Sequence, residues 1–339
     1  MPNNSGKGAL GALLDVVEQA GPFVILPHDN PDPDALASAA TLQYIVKHRL
    51  GKDSVIALGG IVGRAENRAM LTYLNINLVP VGDIPFARDT VVALVDTQPG
   101  RTNNSLPEGF PPAVVIDHHP AYCDTHQVPF FDLRDEYGAT STILTEYLQE
   151  SRLEIEPKIA TALFYGIAAE TQDLGREATQ ADIHASQFLY PHTNKRRLAK
   201  IENARVPREY FRGFRDAIES AVIYDDKAVI TSIGEVRYPD MVAEVADFLL
   251  RLDQAEWTAA MGYYQGALYV SLRTVNRDVN AGELLQKVLG SHHAGGHDQI
   301  AGGRMPVPDG DWQPAAQHVR ERLIAALGIE KKSATDLVA

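Results

Sequence analysis

Cysteine is nearly absent from this chain. Cys123 stands alone in 339 residues, which excludes an intrachain disulfide and any multi-cysteine zinc site. Long apolar runs are missing too: none approaches the roughly 18 residues that a membrane-spanning helix needs. The first residues, Met1-Pro-Asn-Asn-Ser-Gly-Lys7, lack the charged-then-apolar order of a secretory signal. A cytoplasmic protein with no membrane partner is the expectation. There is also no excess of positive charge. Lysine and arginine number 31 against 44 acidic residues, a formal net charge of −13. The broad basic face that grips a long duplex is therefore not expected. A small anionic substrate fits such a chain if bound cations, held by carboxylates and imidazoles, supply positive charge locally.

What is present is ordinary globular composition, 45% hydrophobic and 22% charged, in a length that suggests about two domains. Strand-like runs fall at Phe23–His28, Ser54–Leu58, Thr90–Asp96, Ala113–His118 and Val128–Leu133. Val91–Val95 and Ala113–Ile116 are continuously apolar, as strands covered on both faces are. Helical patterns fall at Asp34–Leu50, Gly138–Glu150 and Pro157–Glu170, so strands and helices alternate as in an α/β parallel sheet. Asp182–Ser220 reads as helical and more basic, a solvated face or a nucleic-acid contact. The turn Tyr224–Lys227 is the expected boundary. Beyond it a smaller α/β unit has strands at Ala228–Ile233, Trp257–Tyr264 and Ala267–Leu272. Its helices are at Asp240–Leu252, Ala281–Leu289 and Trp312–Leu327. The expected domains are 1–222 and 223–329, with a frayed tail over 330–339.

The chemistry-bearing residues gather where strands end. His28, Asp32 and Asp34 follow the first strand, at the carboxyl edge where ligands of open α/β sheets bind. Taken alone, Asp32 and Asp34 also read as turn and cap residues. Asp96 ends a second buried strand, and Asp117-His118-His119 ends a third. Three strands finishing in Asp or His at one edge are hard to obtain from caps. Carboxylates packed so closely repel one another unless cations neutralise them. Two metals about 3.5–4 Å apart, bridged by one carboxylate, satisfy the set. Glu170 and Asp173, after a helical segment, offer a further carboxylate. Near the other end, Gly295-Gly296-His297 and Gly302-Gly303 allow close approach of an anion to the backbone. Arg273 ends a strand and can place a guanidinium on a phosphate.

His28-x-x-x-Asp32-x-Asp34, Asp96, Asp117-His118-His119 and Gly295-Gly-His297-x-x-Ala-Gly-Gly303, in this order, resemble the DHH phosphoesterase superfamily with its associated C-terminal domain. The resemblance covers nearly the whole chain. It implies a two-domain enzyme with its active site in the interdomain cleft and two Mn2+ ions, with Mg2+ or Co2+ as alternatives. His28 and Asp32 would hold the first metal, Asp34, His118 and Glu170 the second, and Asp96 would bridge them. His119 and Asp96 would act in catalysis. Arg273, Gly295, Gly296 and His297 would bind substrate.

Two positions depart from the family pattern. Pro33 stands where glycine is usual, and Glu170-Thr171 stands where Asp-Thr is usual, which leaves Asp173 as the alternative ligand. Size and C-terminal motif are most similar to the oligoribonuclease and pAp phosphatase branch, often labelled exopolyphosphatase-related. The implied function is Mn2+-dependent hydrolysis of short oligonucleotides or pAp by metal-activated water, in a monomer or homodimer. A cyclic-dinucleotide or polyphosphate hydrolase of the same superfamily is the alternative. A non-catalytic nucleotide- or metal-binding relative is a further one.

Overall fold

Apolar runs without polar alternation become the strands of a parallel sheet. These are β1 (Phe23–Pro27), β2 (Ser54–Leu58), β3 (Leu78–Pro80), β4 (Val91–Val95), β5 (Val114–Asp117) and β6 (Phe130–Leu133). They lie in the order β3-β2-β1-β4-β5-β6, every pairing parallel. The computed structural model describes residues 8–19, 21–123, 125–175, 178–329 and 334–338; the side chain of His297 lies outside what it describes. The chain divides into two compact units, Met1–Ala204 and Arg205–Ala339, and this sheet belongs to the first.

One face of the sheet packs under α1 (Ala9–Val17), α2 (Pro33–Leu50), α3 (Ala65–Leu74), α4 (Thr140–Ser151) and α5 (Pro157–Glu170). Phe23, Ile25, Ala93 and Ile116 join that core. The alternate residues Val24, Leu26, Val92 and Leu94 turn the other way, as the two-residue period of a strand requires. There loops close the core in place of helices, with Phe86 and Phe110 packed 5.1 Å apart. Each fully buried aliphatic side chain contributes about 1.5–3 kcal/mol. Two further helices, α6 (Gln180–Leu189) and α7 (Lys195–Glu202), complete the unit.

Two features position the site. Strand order reverses between β1 and β4, which opens a crevice at their carboxyl ends. The second is α2, started there by local chemistry: Asp32 accepts from Ala35 N at 3.0 Å and Pro33 occupies the first turn. Its small residues Ala37, Ser38 and Ala40 let α4 and α5 lie close. Gly166 of α5 makes that approach possible: a Cβ there would sit 2.4 Å from Ser141 Oγ and 3.1 Å from Ala37 Cβ.

The second unit is a mixed sheet. Its strands are β7 (Val222–Tyr224), β8 (Ala228–Glu235), β9 (Trp257–Tyr264), β10 (Ala267–Thr274), β11 (Ala294–His297), β12 (Ile300–Pro306) and β13 (Thr335–Asp336). They run in the order β11-β12-β10-β9-β8-β7-β13, with only β8 and β9 parallel among the described residues. The helices are α8 (Arg208–Glu219), α9 (Asp240–Leu249), α10 (Ala281–Leu289) and α11 (Trp312–Ala326).

By packing, the chain divides at Ala204/Arg205, ahead of the turn Tyr224–Lys227. Helix α8 belongs with the second sheet because Thr231 Oγ1 donates to Ala217 O at 2.6 Å and Ser220 Oγ to Ser232 O at 2.9 Å. The described part of the tail, 334–338, does not fray. Thr335 pairs with Ile223, and Leu337 N donates to Ala221 O at 2.9 Å, so the tail covers the open edge of β7. Among the described residues no helix is long and apolar enough to cross a membrane.

Candidate metal centre

The crevice between β1 and β4 collects the residues that follow three strands. Asp96, just past β4, is 3% exposed and has a left-handed backbone, φ 60°. Its two oxygens face different imidazoles. Oδ2 lies 3.6 Å from His28 Nε2, and Oδ1 lies 3.6 Å from His118 Nε2 and 3.8 Å from His119 Nδ1. Asp32 Oδ2 is 3.6 Å from the same His28 nitrogen. Two ligand sets result, His28/Asp32/Asp96 and Asp96/His118/His119, each with its donor atoms within 4.8 Å of one another. Asp96 belongs to both.

The far side of each imidazole is fixed. His28 Nδ1 is 2.9 Å from Asp29 O, and His118 Nδ1 is 3.1 Å from Tyr137 O. A carbonyl accepts only from a protonated nitrogen, so Nδ1 carries a hydrogen and Nε2 is the atom turned toward Asp96, free to ligate once it gives up its own proton. His118 Nε2 is buried with no hydrogen-bond partner. A buried ring nitrogen without a hydrogen-bond partner, set beside a carboxylate, suits a cation held between the two, so the residues present fit a divalent metal.

Asp34 is placed differently from its neighbours. Its carboxylate accepts from Thr140 N at 2.8 Å and Ser141 N at 2.7 Å. It thus caps α4, whose own N-cap, Ala139, has no side chain to do so. Thr140 Oγ1 also donates to Asp96 Oδ1 at 2.8 Å. Asp34 is in neither three-residue set, although each of its oxygens keeps a second lone pair.

Charge on these groups reports how strained the cluster is. Burial raises the Asp34 carboxyl well above its ordinary range, and the charge of Asp96 adds to this. Asp96 is raised by burial and by Asp32. Burial alone would lower His28, but its hydrogen bond and charge interaction with Asp32 push it up to about 10. Burial is likewise outweighed at His119, pushed up to about 9 by its hydrogen bond and charge interaction with Asp117. At Asp34 and Asp96 the buried negative charge favours more positive charge than the imidazoles supply.

The triplet is held by a residue the motif reading missed. His119 Nδ1 is 2.8 Å from Asp117 Oδ1. Asp117 Oδ2 accepts from Gln98 Nε2 at 2.7 Å, and Gln98 Nε2 also reaches Pro120 O at 3.1 Å. Gln98 Oε1 accepts from Tyr122 N at 2.7 Å and Thr125 Oγ1 at 3.1 Å. The only signal in the sequence is a polar residue two positions after Asp96.

Glu170 ends α5, and its charge acts on Asp34, His118 and His119. Asp173 is exposed beyond the helix end, and its charge bears on Tyr165. In the second unit, Gly295 pairs with Gly302 in the β11–β12 hairpin, and a Cβ on either would meet nothing within 4 Å. At Gly296, φ 146°, a Cβ would fall 2.3 Å from Ile300 O. His297 pairs with Ile300 through its backbone, and its side chain lies outside what is described. Arg273, expected to contact a phosphate, has partners inside its own domain. It is 8% exposed; Nε donates to Asp247 Oδ1 at 2.5 Å, and Nη1 to Ser271 Oγ at 2.8 Å and Leu272 O at 3.1 Å. A buried guanidinium must satisfy its donors, and Nε and Nη1 do so inside the domain.

Residues 22–167 match the DHH family, N-terminal domain, and residues 225–327 match the DHHA1 domain. An uncharacterized protein of Methanocaldococcus jannaschii is 36% identical over 291 residues, covering 86% of this chain and 59% of that protein. A probable manganese-dependent inorganic pyrophosphatase of Enterococcus faecalis is 29% identical over 169 residues, covering 49% of this chain and 54% of that one. The chain thus spans less than two thirds of the length of either curated relative. An exopolyphosphatase-related protein from Bacteroides fragilis shares the fold, with TM-score 0.75 at 14% identity over 94% of this chain and 97% of that one. The crevice residues fall in the first matched region or just beyond it and the glycine hairpin in the second, and with both domains in this order the chain belongs to the DHH family.

Proposed function

We propose that the chain is a divalent-metal-dependent phosphoesterase acting on short nucleotide substrates, oligoribonucleotides or pAp. The observation that carries the reading is Asp96, one carboxylate turned toward two imidazole sets at a sheet switch point. His28 and Asp32 would hold one ion, His118, Asp34 and Glu170 the other, with Asp96 shared. Oxygen and imidazole donors suit Mn2+, and one relative is named as a manganese-dependent pyrophosphatase. Bound divalent ions would neutralise phosphoryl oxygens and acidify water.

The chain's own part is orientation. Asp117, fixed by Gln98, holds the His119 ring so that it can donate to a phosphoryl oxygen. The bare Gly295–Gly302 backbone is open to an anionic group. Arg273 has no substrate role in this reading. Net charge −13 favours short substrates over long strands.

The test is a hydrolysis panel with Mn2+ over short oligoribonucleotides, pAp, a cyclic dinucleotide and polyphosphate, with metal analysis of variants. Short oligoribonucleotides and pAp are expected to lead. Asp96→Asn is expected to lose both ions and the activity, because an amide cannot neutralise two cations. Glu170→Ala should weaken one site while Asp173→Ala leaves both. Two equivalents of metal retained by Asp96→Asn would overturn the shared ligand, and preference for polyphosphate would overturn the substrate class.

A further inference from the structure

A cavity of about 320 Å3 lies in the first unit between α2, α3, α5 and the first residues of β2. Because β2 starts there, the cavity sits at the amino end of the sheet, opposite the carboxyl edge that carries His28 and Asp96. Its volume falls within the range of small-molecule sites, about 300–1,000 Å3. The floor is apolar, formed by Leu74, Ile76 and Ile159. Lys47, His48 and Lys158 stand on the wall, with Asp53 as the one acidic residue lining it.

Four details point to an anionic ligand with a flat body. Ser54 Oγ lies in the wall, buried and without a hydrogen-bond partner. The two lysines have only surface carboxylates to displace: Lys47 pairs with Asp53, 90% exposed, and Lys158 with Glu156, 35% exposed. Exposed pairs of this kind are worth little. His48 lies 4.2 Å from the ring of Tyr44, so aromatic surface is already present beside the lysines. The N-terminal turn of α5, which no side chain caps, lines the same space.

We propose that this cavity is an effector site for a small phosphate monoester carrying an aromatic body, such as a nucleoside monophosphate. Lys47 and Lys158 bind the phosphate, Ser54 Oγ gains its missing partner, and the ring fills the apolar floor. The two helices that form the wall end at the metal centre. The first turn of α2 carries Asp34, roughly 20 Å from Lys47 at 1.5 Å per residue, and α5 ends with Glu170. A ligand wedged between them at one end and cations at the other share the same two rigid elements, so each changes the affinity for the other.

Calorimetric titration of the full chain with AMP, inorganic phosphate and adenosine tests this. AMP is expected to bind, adenosine much more weakly, and Lys158→Glu to weaken AMP about tenfold. Ala162→Phe, which fills the cavity, should abolish binding, and His119→Ala at the metal centre should leave it intact. If Ala162→Phe does not fold, the half-exposed Lys158 still decides the question. Mn2+ affinity should differ with and without AMP. No AMP binding, equal binding of adenosine, or binding lost in His119→Ala and kept in Lys158→Glu would overturn the site. Unchanged Mn2+ affinity would overturn its effector role.

Discussion

A single uncharged side chain organises the Asp117–His119 triplet. Gln98 is fully buried, and its amide joins the carboxylate of Asp117, the carbonyl of Pro120, the amide of Tyr122 and the hydroxyl of Thr125. Replacing it with leucine keeps the volume and leaves several buried polar groups unpaired. Each unsatisfied group costs about 1–3 kcal/mol. Gln98→Leu is therefore expected to lower the unfolding midpoint clearly while Asp96 and the other carboxylates still hold metal. Turnover should fall more than metal content, because His119 loses its fixed partner. Thermal unfolding, metal analysis and kinetics on one preparation check this. Full turnover in a destabilised variant would show that Asp117 orients His119 without Gln98.

At the scale of elements, α2, α4 and α5 form one packed group around the cluster. Asp34 of α2 caps α4. Asp182 of α6 fastens the approach to α4, accepting from Gly138 N at 2.9 Å and Thr142 Oγ1 at 2.5 Å. Gly166 sets the spacing between α5 and its neighbours. In Gly166→Ala the new methyl meets Ser141 Oγ at 2.4 Å, Ala37 Cβ at 3.1 Å and Pro33 O at 3.2 Å. Overpacking of this kind costs about 1–3 kcal/mol. The displaced groups adjoin Asp34, so metal affinity should fall with stability. Denaturant titration together with Mn2+ binding measures both; a loss of stability with unchanged metal affinity would mean that α5 yields without disturbing Asp34.

At the scale of the whole molecule, all the proposed metal ligands lie in the first unit. Mn2+ should stabilise that unit by about 2.7 kcal/mol at a hundredfold excess over the dissociation constant. The pH dependence has opposite signs with and without metal. In the metal-free chain, His28 and His119 rise from 6.5 to about 10 and about 9. Their stabilisation is complete below the unfolded value and is lost as pH rises through those folded values. Metal requires neutral imidazoles, so loading releases protons and strengthens as pH rises. Calorimetry at several pH values, with chelator and with Mn2+, should show metal stabilisation growing from pH 6 to 8. Stabilisation independent of pH would remove the histidines from the ligand set.

What was legible in the residues themselves was local. Continuous apolar runs announced β1, β4 and β5, because a strand covered on both faces needs no polar alternation. Asp32 and Pro33 announced the start of α2, because a cap and its amide lie three residues apart. His28, Asp96 and the 117–119 triplet were legible as strand ends, and parallel strands bring their carboxyl ends to one edge. Only the tertiary structure decided the rest. The amides that hold Asp34 are 106 and 107 residues away, and no local pattern links them. Arg273 looked like a free guanidinium until the fold set Asp247 beside it. Helix α8 and the tail strand β13 take their places from partners across the second sheet. A buried polar group must find a partner wherever packing puts one, and which atom that is depends on the fold as a whole.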